Sequence, residues 1–392
     1  MRIGFVVRQF PKLSETFVSS QVEGLKRLGY QVSVICNQVG TDDRINLTSG
    51  PKGSLLDDTH RWWRMPQLFD EAVSHLPSRW QDRCETAADI FFNGQLNACD
   101  LIIAHYGHNG LRLARVKKRN RLRPPFLTIY HGIDVGLPAH NNQLKIYRSV
   151  FEQGAMQLTV SERFKDELIH AGADPEKVVV HRMGVDCEAI RFTKRERKGP
   201  LRLISVCRLV EKKGMAFALR ALALVSKASP ELKWQYQVVG EGPLLDELRQ
   251  SAKDLGIERN VEFRGGLPHE EVKLLLSEAH IFLLPSVTAR DGDTEGVPVA
   301  LMEAMAAGLV VVSSHHAGIP ELVTDGRSGL LAKERDVDGL VSHLLDLAAH
   351  PEKADALARE ARSEIELNFD NSKLNARLSD IIQDLVHQRR AA

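Results

Sequence analysis

The stretch Arg290–Gly308, RDGDTEGVPVALMEAMAAG, decides the fold. It opens polar and flexible and turns into a helix. Pro298 suits the first helical turn, where its missing N–H loses nothing, and Gly308 reads as the C-cap. Asp293 and Glu295 place negative charge at the positive end of that helix. Glu295 and Glu303 stand eight residues apart, one just before the helix and one about two turns in. Free N–H groups around Gly296 and Val297 would suit a phosphate. On this pattern alone an ordinary capped helix is the stronger reading, so the surrounding chain has to decide.

Upstream of that stretch, strand and helix patterns alternate. LRLISVCRL, WQYQVVG, VEFRG and HIFLLPS read as strands, separated by the helices MAFALRALALVSKA, LLDELRQSAKDLG and HEEVKLLLSEA; LVVVSS follows the stretch. Alternation of this kind makes a doubly wound parallel sheet. The first half repeats the pattern. RIGFVV is a buried strand, and a helix follows with Phe17, Val22, Leu25 and Leu28 on one face. Then come QVSVIC, a less regular middle over about residues 41–95 with Trp62, Trp63 and Trp80, and the strands LIIA, FLTIYHGIDV, MQLTVS and VVVHRMGVD. NNQLKIYRSVFEQG and ERFKDELIHAG read as helices. The fold class expected is α/β, with two doubly wound Rossmann-like domains facing across a cleft. Expected boundaries are 1–190, a charged linker at 191–200 (RFTKRERKGP), 201–368, and a C-terminal helix at 369–392 packing back on the first domain.

Composition excludes several classes. The chain has 392 residues, 26% charged and 43% hydrophobic, the balance of a folded protein. Lys and Arg total 52 against 51 Asp and Glu, so global charge points to no nucleic-acid partner. The five cysteines are scattered without a CxxC pair and suit a reducing, cytoplasmic setting. No signal peptide is expected, and no window approaches the roughly 18 apolar residues of a membrane-crossing helix. One run stands out: residues 111–123 carry seven Lys or Arg and no acid. That is either a solvated helix face or a patch for the inner surface of a membrane.

Polar motifs fall just after strands, where open α/β sheets bind ligands. In the second half, Arg208 follows a strand and Lys213-Gly214 comes five residues later; two such cations can grip a diphosphate without a metal. Gly240-Glu241-Gly242-Pro243 follows the next strand and lacks the GxGxxG form of a dinucleotide site. In the first half, Ser14-Glu15-Thr16 open a helix, His105 ends a strand, and His131-Gly132 ends the next with Asp134 nearby. Capping explains Ser14, and a lone histidine is commonly structural; two at adjacent strand ends favour a site.

These residues together resemble the retaining GT-B glycosyltransferases of family 4 over almost the whole chain. The resemblance is carried by CRLVEKKG, VVGEGP, VEFRGGLPHEEV, FLLPS, EGVPVALMEAMAAGLVVVSS, GIPELV and DGRSGLL. The N-terminal RQFPKLSETF is similar to the branch that builds bacterial exopolysaccharides of the colanic acid and amylovoran type. The resemblance implies transfer of a hexosyl unit from a nucleotide-diphosphate sugar to a saccharide or lipid-linked acceptor, without metal or other cofactor. It implies donor binding by Arg208, Lys213, Gly240, Glu241, Gly296, Val297 and Glu303, the last on the ribose. His131 and Glu295 fall at the reacting centre, and Ser14, Glu15, Thr16, His105 and Asp134 on the acceptor side of the cleft. MGVD at 183–186 stands where the family has NGVD. An epimerase on the same scaffold is the alternative. A phosphorylase lacks its pyridoxal-phosphate lysine here, and a nicotinamide-dependent reductase lacks its glycine fingerprint.

Overall fold

The computed structural model describes residues 1–12, 15–40, 58–61, 77, 80, 83–84, 87, 89, 93–196 and 199–391. Ser14, Trp62 and Trp63 lie outside them, as does most of the 41–95 segment. The chain divides into two compact units, Met1–His181 with Leu374–Ala392, and Arg182–Lys373.

The first unit carries a seven-stranded sheet. Its strands are β1 (Arg2–Phe10), β2 (Gln31–Val39), β3 (Thr59–Arg61), β4 (Leu101–His105), β5 (Phe126–Tyr130), β6 (Met156–Thr159) and β7 (Val178–Val180). All pair in parallel, in the order β3-β2-β1-β4-β5-β6-β7. Its helices are α1 (Thr16–Arg27), α2 (Gly94–Asn97), α3 (Gly107–Lys118), α4 (Ile133–His140), α5 (Arg148–Gln153) and α6 (Glu162–His170). β4 and β5 are buried at every position, as strands covered on both faces must be. On α1, Val18, Val22 and Leu25 turn inward.

The second unit repeats the plan with β8 (Leu201–Val206), β9 (Trp234–Val239), β10 (Val261–Gly265), β11 (Ile281–Leu284), β12 (Val310–Ser314) and β13 (Leu330–Ala332). The sheet order is β10-β9-β8-β11-β12-β13, again parallel throughout. The helices are α7 (Met215–Ala228), α8 (Leu245–Asp254), α9 (His269–Glu278), α10 (Val299–Ala307), α11 (Val337–Ala349) and α12 (Pro351–Asn368). In each unit the order reverses beside the first strand, between β1 and β4 and between β8 and β11. Those are the switch points at which loops diverge and leave a crevice.

Four local expectations change. The strand expected through Val135 stops at Tyr130, because the Asp134 carboxylate accepts two backbone N–H groups and starts α4. The first helix begins at Thr16 with Glu15 in the cap position, and the Glu15 side chain makes no capping hydrogen bond. The charged segment expected as a linker is anchored in the second unit. The Arg195 guanidinium donates to the carbonyls of Ala279, Leu276, Ala307 and Thr193 at 2.8–3.0 Å. The unit boundary therefore precedes it, at 181/182 rather than 190. The C-terminal tail is two helices, α12 and α13 (Asn371–Ala391), broken where Phe369 is buried. From Leu374 onward the tail belongs to the first unit, where Ser379 bonds Tyr30 at 2.7 Å.

The basic run also divides. Arg112 is buried and makes a forked ion pair with Asp89, 2.6 and 3.0 Å, with a third bond to Asn37. Lys117 caps the carbonyls of Arg123 and Pro124. Only Lys118, Arg119, Arg121 and Arg123 remain exposed, near the helix C-terminus where positive charge is favourable.

Candidate functional site

In the second unit, two loops meet at the switch point, one after β8 and one after β11. Gly214 lets them approach. Its backbone is left-handed (φ 68°), and a Cβ there would sit 1.8 Å from the Pro285 carbonyl oxygen. The two lysines before Gly214 then reach the acids of the Arg290–Gly308 stretch. Lys212 is buried and donates to the Asp293 carboxylate at 3.0 Å and to the Thr294 carbonyl at 3.1 Å. Lys213 pairs with Glu295 at 2.6 Å, both side chains largely out of solvent. Ser286 donates a further bond to Glu295 at 3.3 Å. Burial pushes the Glu295 carboxyl up, but Lys213, Lys212 and His316 outweigh it and hold the group below its usual range. It is a carboxylate.

α10 follows as expected, with Pro298 in the cap position and Gly308 closing it in the left-handed conformation. The N–H groups of Gly296 and Val297, just before it, have no hydrogen-bond partner among the described residues. Arg208 is exposed, with no side-chain partner among the described residues. Its loop is laced to the Gly240–Gly242 turn: Leu209 N–H donates to the Glu241 carbonyl at 2.8 Å. Gly240 has φ 135°, and a Cβ there would lie 1.8 Å from the Cys207 carbonyl. Glu241 accepts the Gly266 N–H at 3.3 Å. Glu303, in the second turn of α10, lies 3.8 Å from His269 Nε2. Burial, only partly offset by Lys273, pushes its carboxyl up to about 7.

The sequence reading missed two residues here. His316 Nε2 accepts the Glu295 N–H at 3.2 Å, while its Nδ1 meets Glu334 at 2.9 Å. Glu334 also accepts the Thr288 N–H at 2.7 Å. This chain fixes the backbone at Glu295 and leaves the next two N–H groups available. The signal was present: His315 and His316 follow a strand, as His105 and His131 do. Asp293, by contrast, is matched by Lys212 as half of a buried tie. Among the described residues no group of three or more His, Cys, Asp or Glu is placed to hold a metal ion.

In the first unit, His131 lies between the rings of Phe17 and Tyr106, at 4.6 and 4.5 Å. Asp134 Oδ1 accepts the His131 N–H and Oδ2 the Gly107 N–H, both at 2.9 Å. Two expectations are corrected. Asp134 is buried, and its carboxylate oxygens bind backbone rather than facing an acceptor; burial pushes its pKa up to about 6. His105 is 0% exposed and touches His131 instead of solvent. Glu15 is ion-paired with Lys12 beside Thr16, the first residue of α1.

Two doubly wound parallel units, the second with cations and N–H groups without partners among the described residues at its switch point, have the architecture of a GT-B glycosyltransferase. Comparison with known proteins agrees. Residues 186–364 match the glycosyl transferases group 1 family and residues 14–189 match glycosyltransferase family 4. The chain is 33% identical to the putative colanic acid biosynthesis glycosyltransferase WcaL of Salmonella typhimurium, over 98% of this chain and all of that one. It is 33% identical to the amylovoran biosynthesis glycosyltransferase AmsK of Erwinia amylovora over the same shares. Among solved structures, Anabaena HepE in complex with UDP and glucose superposes with a TM-score of 0.77 at 20% identity, covering 98% of this chain and 99% of that one. This chain belongs to the family 4 glycosyltransferases.

Removing one partner of the Lys213–Glu295 pair leaves a buried charge. Lys213→Met should lower the unfolding free energy by ~3 kcal/mol in urea titrations, and adding Glu295→Gln should recover most of it. Glu303 generates a second expectation. Its folded pKa, about 7, exceeds the ordinary 4.5. The native protein therefore keeps a proton that the unfolded chain releases, and this group's contribution falls as pH rises from 4.5 to 7. Glu303→Gln should raise the melting temperature relative to the parent at pH 8 but not at pH 5.

Proposed function

We propose that this enzyme transfers a hexosyl unit from a nucleotide-diphosphate sugar, with retention at the anomeric carbon, to a saccharide or lipid-linked acceptor during exopolysaccharide assembly. The observation carrying this reading is the Lys213–Glu295 pair beside the N–H groups of Gly296 and Val297, which have no partner among the described residues. A diphosphate entering there meets Lys213, Arg208, two N–H groups and the positive end of α10. Together they stabilise negative charge on the leaving group as the anomeric bond breaks, and no metal is required. Lys213 then exchanges one anion for another, which frees the Glu295 carboxylate toward the sugar. Glu303 accepts from the ribose hydroxyls, and the Gly240–Glu241 turn lies along the nucleotide. His131 addresses the donor sugar. The glycan reading draws support from the names of the WcaL and AmsK relatives.

The same reading places the enzyme in the cytoplasm at the inner membrane surface. No helix among the described residues is long and apolar enough to cross a membrane. The exposed cations Lys118, Arg119, Arg121 and Arg123 suit anionic headgroups.

A thermal-shift panel of UDP-, GDP- and ADP-sugars tests the donor. One sugar nucleotide should raise the melting temperature, Lys213→Ala should abolish the shift, and NMR of the product should show the donor's anomeric configuration. No shift with any donor, or an inverted product, refutes the corresponding part. For the membrane, replacing the four exposed cations by Gln should remove binding to vesicles containing phosphatidylglycerol at low salt. A parent protein that does not bind them refutes the contact.

A further inference from the structure

We infer that His105 is a positioning residue that holds His131 in its Nδ1–H tautomer, so that the enzyme offers its sugar substrate an N–H donor rather than a basic lone pair. The inference rests on the proposed placement of His131 at the donor sugar and specifies what that side chain presents.

The geometry begins at the end of β4. His105 Nδ1 lies 3.1 Å from His131 Nε2. The ring planes are 11° apart and the centroids 5.3 Å apart, so the rings meet through their facing nitrogens rather than face to face. One bond between two neutral imidazoles needs one donor and one acceptor. The other nitrogen of His105 decides which is which. His105 Nε2 is buried and has no partner among the described residues. Aromatic rings flank this side chain, Phe5 at 5.4 Å and Phe17 at 6.2 Å.

If His131 donated, His105 would carry its proton on Nε2, an N–H buried without an acceptor. If His105 donates from Nδ1, only a lone pair is left unpaired at Nε2. Buried N–H groups without partners are the rarer and costlier of the two. Neither ring takes a second proton: burial lowers both imidazoles, with His181 adding to the effect at His105, which falls to about 3, and His105 and His108 adding to it at His131. So His105 donates, His131 accepts at Nε2, and the His131 proton sits on Nδ1.

That nitrogen faces outward. His131 is 7% exposed, and Nδ1 has no partner among the described residues yet is not among the buried polar atoms lacking one. The rest of the residue is fixed: Asp134 holds its backbone N–H, and Phe17 and Tyr106 flank the ring. The hydrogen bond at one imidazole nitrogen sets the state of the other. A neutral Nδ1–H donates to a sugar hydroxyl or to an oxygen gaining negative charge. It does not take up a proton there, which excludes His131 as a general base at that atom.

The test is long-range proton–nitrogen correlation NMR on the full chain labelled with nitrogen-15 histidine, the His131 signals being assigned by their loss in His131→Gln. The expected spectrum shows His131 protonated at Nδ1 with Nε2 as acceptor. His105→Phe keeps an aromatic ring but removes the donor. It should mix the His131 tautomers and lower kcat roughly tenfold or more, with KM for the donor sugar changed little. His105→Asn, whose amide N–H reaches nearly the same place, should restore the Nδ1–H tautomer and most of the rate lost in His105→Phe. His131 protonated at Nε2 in the parent protein overturns the inference, and so does a folded His105→Phe that keeps both tautomer and kcat. If His105→Phe does not fold, the parent spectrum and His105→Asn decide. Full activity in His131→Gln with an Nδ1–H spectrum would instead refute the role proposed for His131 and leave the tautomer assignment standing.

Discussion

The buried ion pair between Lys213 and Glu295 is the constraint on which the second unit's site depends. Its 2.6 Å contact joins the loop after β8 to the loop after β11, the two strands between which the sheet order reverses. Two charges out of water are tolerable only when matched, so the loops must approach until lysine meets glutamate. Lys212 and Asp293 make the same demand one step away. Gly214 permits the approach, because any side chain there would collide with the Pro285 carbonyl. Charge matching and close backbone contact thus impose the same geometry, and the N–H groups of Gly296 and Val297 have no partner among the described residues.

The first unit shapes its strand ends by related means with a different electrical result. Asp134 holds the N–H groups of His131 and Gly107, as Glu334 holds that of Thr288 in the second unit. In both, a carboxylate binds backbone and sets a histidine in place. In the second unit lysines accompany the carboxylates, and the loops carry cations and anions in matched pairs. In the first, the paired rings of His105 and His131 are buried among aromatics and stay neutral. One unit is built to manage charge. The other presents hydrogen-bonding groups without adding charge.

Much of this was legible locally. The alternation of apolar strands and amphipathic helices marked two doubly wound sheets. Pro298 and Gly308 bounded α10 to within a residue. Arg208, Lys213, His105 and His131 stood out because polar residues close after strands fall on the ligand-binding edge of such sheets. What was misread shares one cause: a polar side chain whose partner lies elsewhere in the chain. Arg112 looked like part of a solvated basic face, but Asp89 and Asn37 draw it inward. Arg195 looked like part of a linker, but the carbonyls it satisfies come from the ends of α9 and α10 and one neighbour, Thr193. Asp134 looked like a cleft residue because nothing nearby in sequence showed that the Gly107 N–H would require it.

The elements, their alternation, the caps of the central helix and the charged residues available at the strand ends can all be read from short stretches of chain. These follow from periodicity, backbone preference and charge, all of which act over a few residues. Which charges are matched depends instead on how the folded chain brings distant segments together. Lys212 and Asp293 are 81 residues apart, and His105 and His131 are 26 apart. Whether a lysine ties a loop or waits for a phosphate, and which nitrogen of a histidine carries its proton, depends on a partner brought near by the sheet.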